Sequence, residues 1–209
     1  MSDLKIGKMV LSVCGTNCYF VYHTGESKVI LFDPADRGEY IYSALKEKGF
    51  EVDTILITHG HFDHIWGGAK LRQLSSAKIY ALDKEEPLLM SSDLNVSEMA
   101  GRACTLKCND FFTDGQILEI LGFKIRVIAT PGHTQGGCCF YFEDEGVLIS
   151  GDTLFEGSVG RTDFPTGSSS ELIRSIKEKL MVLPDDTVVY PGHGGTTTIG
   201  DEKLNNPFL

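Results

Sequence analysis

Positive charge is scarce in this chain. Its 19 Lys and Arg face 29 Asp and Glu, giving a formal net charge of −10. That balance argues against a nucleic-acid footprint, which normally needs a basic face, while leaving room for a local basic pocket. No long uncharged apolar run is present, so nothing reads as a bilayer-spanning helix. Residues 1–8 are mixed and charged, without the n-region and h-region of a secretory leader. Six cysteines occur, but none in short paired zinc-finger spacing. Cys14 and Cys18, like Cys104 and Cys108, have three residues between them, and Cys138 adjoins Cys139. Adjacent cysteines on a strand face opposite ways, so one of that pair is expected to be buried as a small hydrophobe. The expectation is a reduced cytoplasmic chain with neither a membrane nor a nucleic acid as partner.

What remains is an ordinary globular mixture, 42% hydrophobic and 23% charged over 209 residues. It suits one domain spanning 1–209 with a sizeable core. The informative stretch is His59-Gly60-His61-Phe62-Asp63-His64. It follows the β-branched run Val52–Thr58, which reads as a buried strand. The block therefore sits just past a strand's carboxyl end, where α/β folds usually place ligands. Four candidate metal ligands in six positions could fan out toward two neighbouring ions, and zinc accepts both nitrogen and carboxylate oxygen.

The other polar candidates share that placement. His133 follows the strand-like Phe123–Ala129, Asp152 follows Gly146–Ile149, and His193 follows Thr187–Val189, each at a glycine-bearing turn. Only His23 lies elsewhere, in an early strand. His59, His61 and His133 can serve one metal, and Asp63, His64 and His193 a second, with Asp152 bridging them. Such a two-metal centre needs no serine or cysteine nucleophile. Divalent metal lowers the pKa of bound water and polarises a carbonyl, and Asp63 could orient the attacking hydroxide. Zinc is the first choice, but His and Asp ligands suit iron or manganese as well.

Along the chain, Lys5–Val13 reads as the first strand and Gly15-Thr16-Asn17 as a turn. Cys18–His23 and Lys28–Phe32 form a hairpin. Asp33 either accepts a hydrogen bond from a ligand imidazole or caps the next turn. A helix is expected from Tyr40 to Lys48, ended by Gly49, and a strand at Lys78–Leu82 before an acidic turn that Asp83 can cap. Residues 91–116 read either as a lid or pocket wall or as a surface crossover. Gln116–Leu121 and Phe123–Ala129 form another hairpin. Arg161 and Asp163 could pair and hold Gly157 and Gly160 near Asp152. Ser169 or Ser170 is expected to cap a helix over Glu171–Met181.

The full set of motifs resembles the metallo-β-lactamase superfamily, and more closely its glyoxalase II-like group of single-domain hydrolases. The residues that carry the resemblance are His59 to His64, Thr130-Pro131-Gly132-His133-Thr134, Gly151-Asp152-Thr153, Gly160-Arg161-Thr162-Asp163 and Pro191-Gly192-His193-Gly194. The resemblance implies an α/β fold: an αββα sandwich of two mixed β-sheets flanked by helices, with two metals at the edge between the sheets. It implies the same ligand grouping. It also implies hydrolysis of a small-molecule thioester, S-lactoylglutathione or a similar compound. Persulfide dioxygenase, a relative that uses one iron and oxygen, shows a Gly-Arg-Thr-Asp-Phe stretch like residues 160–164. Lactone hydrolysis is a further alternative, and the oligomeric state stays open.

Overall fold

The computed structural model describes residues 3–209. Two six-stranded sheets form its centre. The first takes its strands in chain order: β1 (Leu4–Leu11), β2 (Thr16–His23), β3 (Lys28–Phe32), β4 (Glu51–Leu56), β5 (Lys78–Leu82) and β6 (Asp110–Phe112). β1, β2 and β3 pair antiparallel, and β3 through β6 run parallel. The second sheet contains β7 (Ile117–Ile120), β8 (Phe123–Ala129), β9 (Cys138–Phe142) and β10 (Val147–Gly151). After a small ribbon of β11 (Leu154–Phe155) and β12 (Ser158–Val159), it is completed by β13 (Val188–Pro191) and β14 (Thr197–Thr198). Its spatial order is β14-β13-β10-β9-β8-β7, and only the β10–β13 pair is parallel.

Alternation along the strands explains the layering. Ile30 and Phe32 of β3 face the second sheet and meet Phe123, Ile125, Phe140 and Phe142. Val29 and Leu31 point the other way. There they pack under α1 (Gly38–Glu47), which brings Ile41 and Leu45, and under Leu71. Leu71 belongs to α3 (Gly68–Ser75), which follows the single turn α2 (Phe62–Ile65). After the short α4 (Glu86–Leu89), α5 (Ser169–Ser175) on the far side continues into a π-type turn, Ile176–Leu180. Leu172, Ile176 and Leu180 cover Cys139, Tyr141 and Leu148, joined by Ile199. Ile199 opens α6 (Ile199–Asn205). The result is the αββα sandwich. β9 and β10 are buried on both faces, which is why they read as unbroken apolar runs. Burying each large apolar side chain contributes about 1.5–3 kcal/mol.

Several local expectations shift. β1 stops at Leu11, because Ser12 takes a left-handed φ of 62° and begins the turn. Thr16 and Asn17 are strand residues, not turn residues. The helix caps on Ser168, whose hydroxyl accepts from Glu171 N–H, because the chain before Ser169 is still extended. Residues 91–106 form a crossover of turns. It is pinned from inside by buried Asn95, which donates to Cys104 O and accepts from Ser97 N–H. Cys138 and Cys139 do face opposite layers, and both are buried.

Candidate metal centre

His59, His61, Asp63 and His64 leave the end of β4 together. The single turn of α2 aims Asp63 and His64 inward, and all four are buried. The second sheet supplies its donors singly, from the turns after β8, β10 and β13. The two sets meet. His133 Nε2 lies 2.8 Å from His61 Nδ1 and 3.2 Å from His59 Nε2. His64 Nε2 lies 3.4 Å from His193 Nε2 and 3.6 Å from Asp63 Oδ2, which is 3.4 Å from His193 Nε2. Asp152 stands between the two groups. Its Oδ1 is 3.3 Å from His64 Nε2, and its Oδ2 is 3.7 Å from His133 Nε2 and 3.4 Å from His193 Nε2. Six of the seven residues singled out from the sequence are thus brought together as two adjacent clusters, each able to gather its donors around an ion, and Asp152 lies between them.

Hydrogen bonds on the far side of the rings set which nitrogens face inward. Thr58 Oγ1 donates to Asp33 Oδ2 at 2.7 Å, so it accepts from His59 Nδ1–H at 3.1 Å. His64 Nδ1–H donates to the same Asp33 oxygen at 3.0 Å, and His133 Nδ1–H to the Arg161 carbonyl at 2.7 Å. His59 and His133 then turn a bare Nε2 inward, and His64 directs its Nε2 toward Asp152, Asp63 and His193. Asp33 also accepts from Thr58 N–H at 2.8 Å. It therefore serves the ligand imidazoles and is not a turn cap. Asp33, His59 and His64 also approach one another closely enough to suggest a third grouping. There, however, the rings present the nitrogens opposite to those turned toward the other ligands, so Asp33 acts behind the rings.

The donor chemistry fits divalent cations. Three imidazole nitrogens, His59 Nε2, His61 Nδ1 and His133 Nε2, converge on one point. Burial and the neighbouring imidazoles hold His59 far below its usual pKa, and burial pushes His61 down to about 3. Asp152 Oδ1 is buried, with His64 Nε2 at 3.3 Å beside it. In the second cluster, burial opposes protonation of His64, but Asp152 and Asp63 outweigh it and raise its pKa well above the usual value. Burial would raise Asp63, yet His64 and His193 hold it at about 2. The field there favours positive charge.

The clusters form the floor of a cavity of about 560 Å³. Its walls include Phe62, Met99, Phe155, Val159 and Phe164, with Arg161 at the rim. Met99 is 74% exposed, so the crossover at 91–106 contributes a pocket wall. Arg161 does pair with Asp163, through two bonds of 2.7 Å, and it lies over Phe164. This pair is solvent-exposed and does not grip Gly157 or Gly160. The Arg161 contribution to the centre is its backbone carbonyl. Cys14 borders the cavity, but burial and Asp63 push its thiol pKa up, away from nucleophilic thiolate.

Thr16 and Asn17 join the centre from the start of β2. The Thr16 hydroxyl donates to Asp63 Oδ2 at 2.6 Å. Asn17 holds the His193 turn: its N–H donates to Gly192 O at 2.7 Å, and its side chain to Pro191 O at 2.9 Å and Gly194 O at 3.1 Å. Gly192 is required there, since a Cβ would stand 2.1 Å from Asp152 Oδ1. Standing just after Gly15, Thr16 and Asn17 read as a turn, and nothing local signals these distant contacts.

Comparison with known proteins agrees with this architecture. The family model described as the metallo-beta-lactamase superfamily matches residues 11–193. A Haemophilus influenzae protein named hydroxyacylglutathione hydrolase GloC is 35% identical over 199 residues, covering 92% of each chain. Among solved structures, the BLEG-1 B3 metallo-beta-lactamase superposes with a TM-score of 0.93 at 38% identity, covering 98% of this chain and 99% of its own. TTHA1623 in a di-iron-bound form gives a TM-score of 0.86 at 33% identity, covering 97% and 100%. With motifs, sandwich and paired His/Asp clusters in agreement, the chain belongs to the metallo-β-lactamase superfamily.

Proposed function

We propose that this protein is a two-metal hydrolase of small acyl thioesters. S-lactoylglutathione, or an ester of a similar low-molecular-weight thiol, is the first substrate to try. The observation that carries the reading is the pair of clusters sharing Asp152 on the floor of a small, largely apolar cavity. His59, His61 and His133 would hold one ion, Asp63, His64 and His193 the other, and Asp152 both. Divalent ions bound there supply Lewis acidity, which polarises a carbonyl and lowers the pKa of water.

The chain's own groups do the rest. Asp33 and Thr58, with the Arg161 carbonyl, hold His59, His64 and His133 in one tautomer and orientation. Thr16 fixes the Asp63 carboxylate, which is placed to accept a proton from attacking water. Apolar side chains around the cavity exclude bulk water and strengthen charge interactions at the floor. A thiolate leaves without a strong general acid. Similarity to GloC supports the thioester class.

A second reading has specific support. The di-iron form of TTHA1623 favours iron in this ligand set, and residues 160–164 match the Gly-Arg-Thr-Asp-Phe stretch of persulfide dioxygenases. Iron would open oxygen-dependent oxidation of a glutathione persulfide. BLEG-1 adds a β-lactam to the substrates worth testing.

One assay series separates these readings. Zinc-, manganese- and iron-loaded protein is given S-lactoylglutathione without oxygen, glutathione persulfide with oxygen, or a chromogenic cephalosporin. Thiol release without oxygen, lost on chelation and restored by metal, is expected. Oxygen uptake that follows iron content, without thioester hydrolysis under any metal, overturns the proposal in favour of the dioxygenase. Cephalosporin turnover alone overturns it in favour of a lactamase.

A further inference from the structure

Glu85 has a place that the catalytic reading leaves unused. It lies in the 3-10 turn Asp83–Glu85 after β5, and it is 1% exposed. Among the described residues, no cationic side chain pairs with it. Instead, one carboxylate oxygen accepts from Gly60 N–H at 2.8 Å and the other from Gly136 N–H at 2.8 Å. Gly60 stands between His59 and His61. Gly136 lies in the turn that carries His133, closed by Thr130 N–H to Gly137 O and Gly132 N–H to Thr134 O. One buried side chain therefore ties together the two loops that bear the first cluster. The fit allows no looser arrangement: a Cβ on Gly136 would stand 2.2 Å from Glu85 N.

The second cluster has other supports. His64 is held by Asp33, Asp63 by Thr16, and the His193 turn by Asn17. Glu85 bonds to none of these groups. Removing its carboxylate would leave two buried N–H groups unpaired, one on each first-cluster loop, and would let those loops part. We propose that Glu85 is a positioning residue that sets the separation of the His59/His61 and His133 loops and so tunes metal affinity at the first cluster selectively. This inference rests on the two-ion reading given above.

The test is a Zn2+ titration against a competing chelator for wild type, Glu85→Gln and Glu85→Ala. Co2+ spectra assign the sites by comparison with His133→Ala and His193→Ala. First-cluster affinity is expected to fall about 10- to 100-fold in Glu85→Ala, with the second cluster changing less than about threefold. Glu85→Gln preserves volume but turns an NH2 toward one N–H donor, so it should fall between wild type and Ala. Amide exchange at Gly60 and Gly136 in metal-free protein is expected to speed up together in Glu85→Gln, a measurement that stands if the Ala variant fails to fold. Glu202→Ala serves as the control for general destabilisation. Glu202 is another buried carboxylate, bonded to Gly157 N–H and Thr197 Oγ1, away from both loops. It should soften the fold without this site selectivity. Equal loss at both clusters, or unchanged affinity and exchange, overturns the inference alone. A wild-type chain that binds fewer than two ions overturns the two-ion reading and the inference with it.

Discussion

The two sheets reach the same centre by different routes. The first delivers four donors within six residues, from one strand end and one helical turn. The second delivers His133, Asp152 and His193 from three separate turns spread over some sixty residues of chain. Their supports differ accordingly. Behind the dense block stand side chains: Asp33 and Thr58 behind His59 and His64, and Thr16 behind Asp63. The scattered ligands rely on backbone groups: the Arg161 carbonyl accepts from the His133 ring, and the 191–194 and Gly136 backbone is gripped by the side chains of Asn17 and Glu85. A helical turn can present several side chains at fixed spacing, so outer side chains suffice to aim them. A lone ligand on a turn is only as well placed as the turn's own backbone.

The largest effect should come where the two routes join. Asp152 contacts ligands from both sheets, its Oδ1 lying 3.3 Å from His64 Nε2 and its Oδ2 near His133 and His193. Asp152→Asn keeps the volume and removes the charge that offsets two cations. Activity and metal content are expected to fall together, by more than the roughly 10- to 100-fold that changes behind a ligand cost. Elemental analysis and kcat on the same preparation check this, and near-normal values for both would remove Asp152 from the shared role. Next come the single-cluster changes. His133→Ala and His193→Ala should each take bound metal from two ions toward one, with distinct Co2+ spectra. Identical spectra would mean that the clusters act as one site.

Asp33 sharpens the contrast on the first sheet. Through His64 and, by way of Thr58, His59, it reaches one ligand of each cluster. Its φ of 48° is left-handed, a conformation that asparagine tolerates. Asp33→Asn is therefore the cleaner variant, and it should weaken both metals about 10-fold. That pattern is opposite to the one-sided loss expected for Glu85. The supports on the second sheet show a different signature. Asn17→Ala removes two side-chain donors to the 191–194 carbonyls and should cost about 1–3 kcal/mol of stability, read by denaturant unfolding of metal-free protein. An unchanged midpoint would mean that the His193 turn holds itself.

Legibility in the sequence followed the same divide. The His59–His64 block was readable because its spacing is local, and the three lone ligands because each follows an apolar strand at a glycine turn. The sandwich was readable through the motifs as a set. What stayed hidden depends on contacts between distant parts of the chain. Glu85 looks like one acid among several in a polar turn, and only the fold shows it buried against Gly60 and Gly136. Thr16 and Asn17 look like turn residues because glycine precedes them, yet they open β2 beside the His193 turn. Ser168 takes the cap because the backbone becomes helical only after it, a boundary that a run of three serines leaves undetermined.

The smallest expected effect tests whether backbone truly supports the scattered ligands. The Arg161 side chain pairs with Asp163 in solvent and stacks on Phe164, while its carbonyl accepts from His133 Nδ1–H. Exposed pairs contribute little because water and salt screen them and ordering two side chains has its own cost. Arg161→Ala deletes the pair and the stacking but keeps the carbonyl. Melting temperature and metal stoichiometry are therefore expected to stay near wild type. Because Phe164 and Arg161 both border the cavity, a change in KM at constant kcat is the anticipated kinetic signature, the mark of lost uniform binding. Loss of metal in this variant would show that the side chain holds the His133 turn, and the contrast between backbone-held and side-chain-held ligands would fail at the residue where it is most directly exposed.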